Sequence, residues 1–220
     1  MKSLIRETCT GQWLELLNRE SKKITVKAKE NIFNAGDTAL GIYEIISGKI
    51  KVTAKDSTGT ESLVRLAGDN DILGHRGVGG DWIYRVTATA LEDTKLLFIP
   101  RYTFELLAKN NPEFSYRLMT LFAEDLRHSE EKTMHLPVVN RVANAILMNC
   151  EAFGMNNKTG KLNYTISRQD YANRAVTTYE STIRAIADLK QSGIIDTDNN
   201  TILVKDFDRL KKIALTAESA

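Results

Sequence analysis

Between residues 24 and 100, apolar positions alternate with polar ones in short runs rich in Ile, Val and Thr. The runs lie at 24–28, 42–55, 62–67 and 84–100. A period of two in β-branched sequence predicts strands. The clusters between them, Asn34-Ala35-Gly36-Asp37, Ser47-Gly48, Ser57-Thr58-Gly59 and Gly68-Asp69-Asn70-Asp71, supply turns. Regularly spaced strands over about 80 residues predict an all-β barrel or roll. Ahead of them, residues 3–20 read as one short helical lead, with Leu4, Ile5, Trp13, Leu14, Leu16 and Leu17 on its apolar side.

After residue 100 the period lengthens. Residues 101–110 predict a short helix that Asn111-Pro112 ends, and Pro112 suits the first turn of the next. That helix runs to about Leu136, with Phe114, Leu118, Leu121, Phe122 and Leu126 at spacings of three and four. Such a face either pairs with a second copy in a coiled-coil-like seam or packs on the β-domain; the pattern favours the seam. Pro137 is a hinge candidate. Residues 138–153 predict a helix with Val142, Ile146, Leu147 and Cys150 inward.

The stretch 165–190 reads as two short helices joined by a tight turn. Ser167 with Asp170 resembles a capping box, Thr178 caps the second helix, and Gly193 ends it. Two strands around Asp198-Asn199-Asn200 then form a hairpin, and residues 207–215 a last helix. The second helix of the pair presents Tyr179, Glu180, Ser181 and Arg184 at its front. A helix that enters the major groove needs such donors and acceptors there.

Charge adds little. Before Pro137, 19 Lys and Arg face 19 Asp and Glu; from it onward 11 face 9, so the net +2 lies in the C-terminal part. That fits nucleic-acid contact or an ordinary solvated surface equally. The two cysteines, Cys9 and Cys150, cannot form a metal-ligating cluster and point to a reducing cytoplasm with free thiols. Neither a signal peptide nor a bilayer-spanning run is expected. No nucleophile elbow, P-loop or metal motif suggests an enzyme.

In its order of β-roll, long helix, hinge and winged helix-turn-helix, the chain resembles the CRP/FNR family of bacterial transcription regulators over nearly its whole length. Gly36, Tyr43, Ile45, Gly48 and Val52 resemble the family's early strand-and-turn signature. Gly68-Asp69 and Gly74 resemble the turns into its phosphate-binding cassette, and Arg168-Gln169-Asp170 with Glu180, Ser181 and Arg184 its helix-turn-helix. The resemblance implies an α+β fold: an N-terminal double-stranded, jelly-roll-like β-roll over 1–111, a dimerisation helix and hinge over 112–137, and a winged helix-turn-helix over 138–220. It further implies a cytoplasmic homodimer on a palindromic double-stranded DNA operator, contact with RNA polymerase, and a small-molecule effector.

On that resemblance Glu180 and Arg184 read bases, Glu accepting from cytosine N4 and Arg donating to guanine O6 and N7. Ser167, Arg168 and Thr177 are candidates for phosphate contacts. Thr178 begins the reading helix with Ser181. Tyr179 replaces a basic residue of the cyclic-AMP receptor branch, so the operator should differ. Val176 stands where a turn at φ > 0 often has glycine: either the turn differs or a modest strain is accepted.

In cyclic-AMP-binding members a Gly-Glu pair is followed by an Arg and a Ser or Thr, which hold the ribose and the cyclic phosphate. Here the effector candidates are Gly74, His75, Arg76, Arg85 and Val86. Arg85 keeps the phosphate-clamp spacing, but His75 replaces the acid and Val86 the hydroxyl. Neutral His accepts one hydrogen bond where a carboxylate accepts several. Arg76 and Arg85 serve another anion or a plain ion pair. Trp82 and Tyr84 line a pocket or cap the roll. No cofactor and no metal is expected: four cysteines are lacking for an iron–sulfur cluster, and His75, His128 and His135 make a poor haem set.

Overall fold

The computed structural model describes residues 3–79, 81–130 and 136–216, with the backbone alone for 128–130. Two compact groupings emerge, residues 1–54 with 67–131 and residues 55–66 with 132–220. The lead is two helices, α1 (Leu4–Thr8) and α2 (Gln12–Glu20), because the chain turns at Gly11 with φ 54°. Ser3 caps α1 and its hydroxyl donates to the buried Glu44 carboxylate.

Eight strands follow: β1 (Lys22–Val26), β2 (Asn31–Phe33), β3 (Gly41–Ser47), β4 (Ile50–Lys55), β5 (Glu61–Ala67), β6 (Ile72–Leu73), β7 (Thr87–Ala90) and β8 (Thr94–Pro100). They form two four-stranded sheets, in the orders β1-β8-β3-β6 and β2-β7-β4-β5. The alternation predicts a barrel or roll, and the two sheets make it the double-stranded roll that the resemblance implies. Its core holds Ile42, Ile45, Ile50, Leu96 and Ile99, all fully buried. The β3–β4 turn passes so close to β8 that a Cβ on Gly48 would lie 2.3 Å from Thr94 Oγ1.

Beyond the roll come α3 (Arg101–Asn110) and α4 (Pro112–Glu130). Asn111 joins them: its Oδ1 accepts from Phe114 N at 3.1 Å, and its Nδ2 donates to Thr8 O at 2.9 Å. The apolar face expected to form a seam packs largely on the chain's own roll. Phe114 and Leu118 are buried there, Leu121 and Phe122 lie against the same core, and only Leu126 is exposed. Another stripe is open instead. Tyr116 (61% exposed), Met119 (61%) and Leu126 (59%) repeat at heptad-like spacing, with exposed Ala123 between the last two. The expected continuation of α4 across 131–135, with His135, lies outside the described residues, as does the side chain of His128.

The second unit contains α5 (Val138–Phe153), α6 (Arg168–Ala175), α7 (Tyr179–Gln191), β9 (Ile195–Asp198), β10 (Thr201–Val204) and α8 (Phe207–Leu215). Val142, Ile146, Leu147 and Cys150 are buried, as the period predicts. A polar knot pins the helices. Asn149, fully buried, accepts from Tyr171 Oη at 2.6 Å and donates to Tyr164 O at 2.9 Å. Buried polar groups satisfied in this way fix one arrangement of the core. The β9–β10 hairpin turns at Asn199 with φ 52°, a conformation asparagine tolerates. Leu162 N donates to Ile202 O at 3.1 Å and extends the wing. Among the described residues, no helix is long and apolar enough to cross a membrane, and no group of His, Cys, Asp and Glu could hold a metal ion.

Candidate nucleic-acid interface and effector cassette

In the α6–turn–α7 unit, a side-chain cap holds the start of each helix. Ser167 Oγ accepts from Asp170 N at 3.0 Å and donates to Asp170 Oδ2 at 2.7 Å. Thr178 Oγ1 accepts from Ser181 N at 3.2 Å. Each cap satisfies a backbone donor that the first helical turn leaves open. Between them Val176 takes φ 47° and ψ 58°, so the turn keeps its left-handed geometry and a β-branched residue bears the strain. Arg141 of α5, which the sequence did not mark, braces this corner. Its Nε donates to Ala175 O at 2.8 Å and its Nη1 to Leu136 O at 3.0 Å. A cation at the C-terminal carbonyls of α6 is electrostatically well placed.

Helix α7 buries Thr182, Ala185, Ile186 and Leu189 and exposes Tyr179, Glu180, Ile183 and Arg184. Tyr179, Glu180, Ser181 and Arg184 thus share its first two turns. Glu180 and Arg184 do not pair with one another; Arg184 Nη2 reaches Ser181 Oγ at 3.4 Å, leaving most of its donors toward solvent. Ser167 and Arg168 begin α6, where the Arg168 guanidinium lies 5.9 Å from the Tyr171 ring centre. Thr177 is partly buried in the turn, its N–H donating to Ala172 O at 3.1 Å.

The cassette is ordered by packing rather than by an open cradle. Gly74 has φ 81°, and a Cβ there would lie 2.9 Å from the Tyr84 ring. His75, Arg76 and Gly77 form one 3-10 turn. His75 is buried, and its Nε2 lies 3.0 Å from Asp125 Oδ2 on α4. Arg76 Nε donates to the same oxygen at 2.8 Å. Asp125 is the partner that sequence reading missed; 50 residues away, it left no local signal. Arg85 is exposed and held by Asp81 in an i,i+4 ion pair. Val86 packs against the roll's core. Trp82 is buried edge-on to Phe104, with the Arg101 guanidinium 4.2 Å over its ring, and Tyr84 Oη donates to Gly41 O at 2.8 Å. Both aromatics therefore act as packing for the roll.

The thiols are electrostatically quiet. Burial pushes Cys150 up to about 12 and raises Cys9 above its ordinary value, so neither offers a thiolate at neutral pH. Cys9 is buried.

A β-roll, a long helix and a braced helix-turn-helix with a wing define a DNA-binding regulator as a class. The comparisons with known proteins agree. Residues 23–111 match the family model of the cyclic nucleotide-binding domain, and residues 140–213 that of the Crp-like helix-turn-helix domain. A CRP-like cAMP-activated global transcriptional regulator of Mycobacterium tuberculosis is 24% identical over 203 residues, 90% of either chain. The cyclic AMP receptor protein of Thermus thermophilus is 27% identical over 186 residues, 83% of either chain. The solved structure of FixK2 from Bradyrhizobium japonicum superposes with a TM-score of 0.77 at 22% identity, covering 91% of this chain and 99% of its own. The chain belongs to the CRP/FNR family, whose members are transcription regulators that bind DNA as dimers.

Proposed function

We propose that the protein is a cytoplasmic, homodimeric, sequence-specific transcription regulator that reads a palindromic operator through α7. The observation that carries this reading is the front of α7: Glu180, Ser181 and Arg184 stand together, exposed or half-exposed, with Glu180 and Arg184 not neutralising each other. Two copies would meet along the open stripe of α4, Tyr116, Met119, Ala123 and Leu126. Two-fold symmetry then sets half-sites ~34 Å apart, one turn of DNA.

The β-roll serves an effector other than cyclic AMP, or none. What supports this is where the cassette's polar groups stand: Arg85 with Asp81 at the surface, His75 and Arg76 on Asp125, and Val86 in packing. Each hydrogen bond to a charged group contributes about 1.5–3 kcal/mol. A site lacking both the carboxylate and the hydroxyl is therefore weaker by roughly 10²–10⁴-fold. Calorimetry with cyclic AMP should show no saturation near ~10 μM, about −7 kcal/mol; saturable binding below that concentration would overturn the claim.

The test of DNA reading is selection from a random DNA pool by the purified, ligand-free protein, with affinity then measured at two salt concentrations. Enrichment of a palindrome with a steep salt slope supports the proposal. Arg184→Ala should weaken the selected site by ~1–3 kcal/mol and relax one base position. Without enrichment, either an effector is obligatory or α7 meets protein, and repeating the selection with a metabolite mixture separates the two.

A further inference from the structure

Three apolar side chains stand open along the turn and α7: Val176 (50% exposed), Tyr179 (46%) and Ile183 (40%). Their spacings of three and four put them on one face. Ile183 is the informative member. It lies one turn beyond Tyr179, between Glu180 and Arg184 in sequence, while the buried side of α7 is already filled by Thr182, Ala185, Ile186 and Leu189. A β-branched residue slightly disfavours a helix, and here 40% of it stays open to solvent.

Resting on the DNA reading proposed above, we propose that Ile183 is a base-reading residue that selects thymine through its C5-methyl group. The chemistry is restrictive: among the four bases, only thymine presents an apolar group at its major-groove edge, all other features there being hydrogen-bond donors and acceptors. Among the base edges, that methyl is the feature complementary to an exposed sec-butyl side chain beside Glu180 and Arg184. The operator half-site should therefore carry a thymine next to the positions Glu180 and Arg184 read. Cytosine at that position would set its donor N4 against the aliphatic surface, leaving the donor without its water.

The test removes the methyl group and nothing else. Each thymine of the selected operator is replaced in turn, symmetrically, by deoxyuridine, and affinity is measured for the wild type, Ile183→Ala and Ile183→Val. One replacement should weaken wild-type binding about fourfold per half-site, equivalent to ~0.8 kcal/mol per buried methyl, and so about sixteenfold for a dimer. Ile183→Ala should bind the natural operator less tightly and be indifferent to that replacement; Ile183→Val, which keeps two methyls, should retain part of the sensitivity. Thermal melting of the variants checks that this exposed position leaves folding intact. A wild type that binds its operator specifically but ignores every deoxyuridine overturns the inference and leaves the DNA reading standing. Equal sensitivity in wild type and Ile183→Ala overturns it in the same way. A protein that selects no DNA under any condition removes both.

Discussion

Asp125→Asn should loosen the β-roll from α4. One carboxylate oxygen, Oδ2, accepts from Arg76 Nε at 2.8 Å and lies 3.0 Å from His75 Nε2. The side chains are 14% exposed for Asp125, 3% for His75 and 35% for Arg76. A hydrogen bond to a charged group contributes about 1.5–3 kcal/mol, and breaking a fully buried pair costs about 3–5. Arg76 is partly in water, which lowers its share, and asparagine keeps one carbonyl acceptor. The expected loss is therefore ~1.5–3 kcal/mol. Urea unfolding at fixed protein concentration measures it, since self-association makes stability concentration-dependent. The cycle with Arg76→Gln should give a coupling of ~1 kcal/mol. An unchanged midpoint at unchanged slope, or single changes that add within about 0.3 kcal/mol, would refute the account.

Further outcomes follow from other sites. Met119→Glu with Leu126→Glu places like charges on the open stripe and removes two apolar side chains per copy, a loss of ~3–6 kcal/mol per copy at ~1.5–3 for each buried side chain; light scattering should show a monomer, and an unchanged dimer mass would move the seam elsewhere. Val176→Asn relieves the left-handed strain at φ 47°, because asparagine tolerates that region, and should raise stability by ~0.5–1 kcal/mol in urea; a loss instead would mean that Val176 packs productively. Cys150, held up to about 12 by burial, should resist a disulfide reagent at pH 8 in the native state and react on unfolding; rapid native reaction would contradict its burial.

Long periodic elements were legible in the sequence. The helix over 138–153 and that over 207–215 fall where their patterns place them, because apolar contacts repeated from turn to turn outweigh local noise. Strands β2 and β6, of three and two residues, are too short to show a period. Helix α4 misled in a specific way: its sequence carries two apolar faces, and only three-dimensional packing tells which meets its own roll. Glycine's absence at 176 signalled strain that the φ angle then located. Residue type marked Tyr179, Glu180, Ser181 and Arg184, which the structure places together at the front of α7; Ile183, an ordinary apolar residue by type, went unmarked. Asp125 and Arg141 were invisible, since a long-range ion pair and a carbonyl brace leave no spacing to detect.

Asp125 and Leu126 are neighbours on a helix that turns about 100° per residue, at 3.6 residues per turn. One side chain grips the cassette and the next belongs to the open stripe. The helix is thus a crankshaft. Rolling it to free the carboxylate swings the leucine by the same angle, and regripping it swings the leucine back. No flexible linker intervenes in which the motion could be absorbed. Disturbance at the His75–Arg76 turn is geared, within one turn of backbone, to the surface along which two such chains would align.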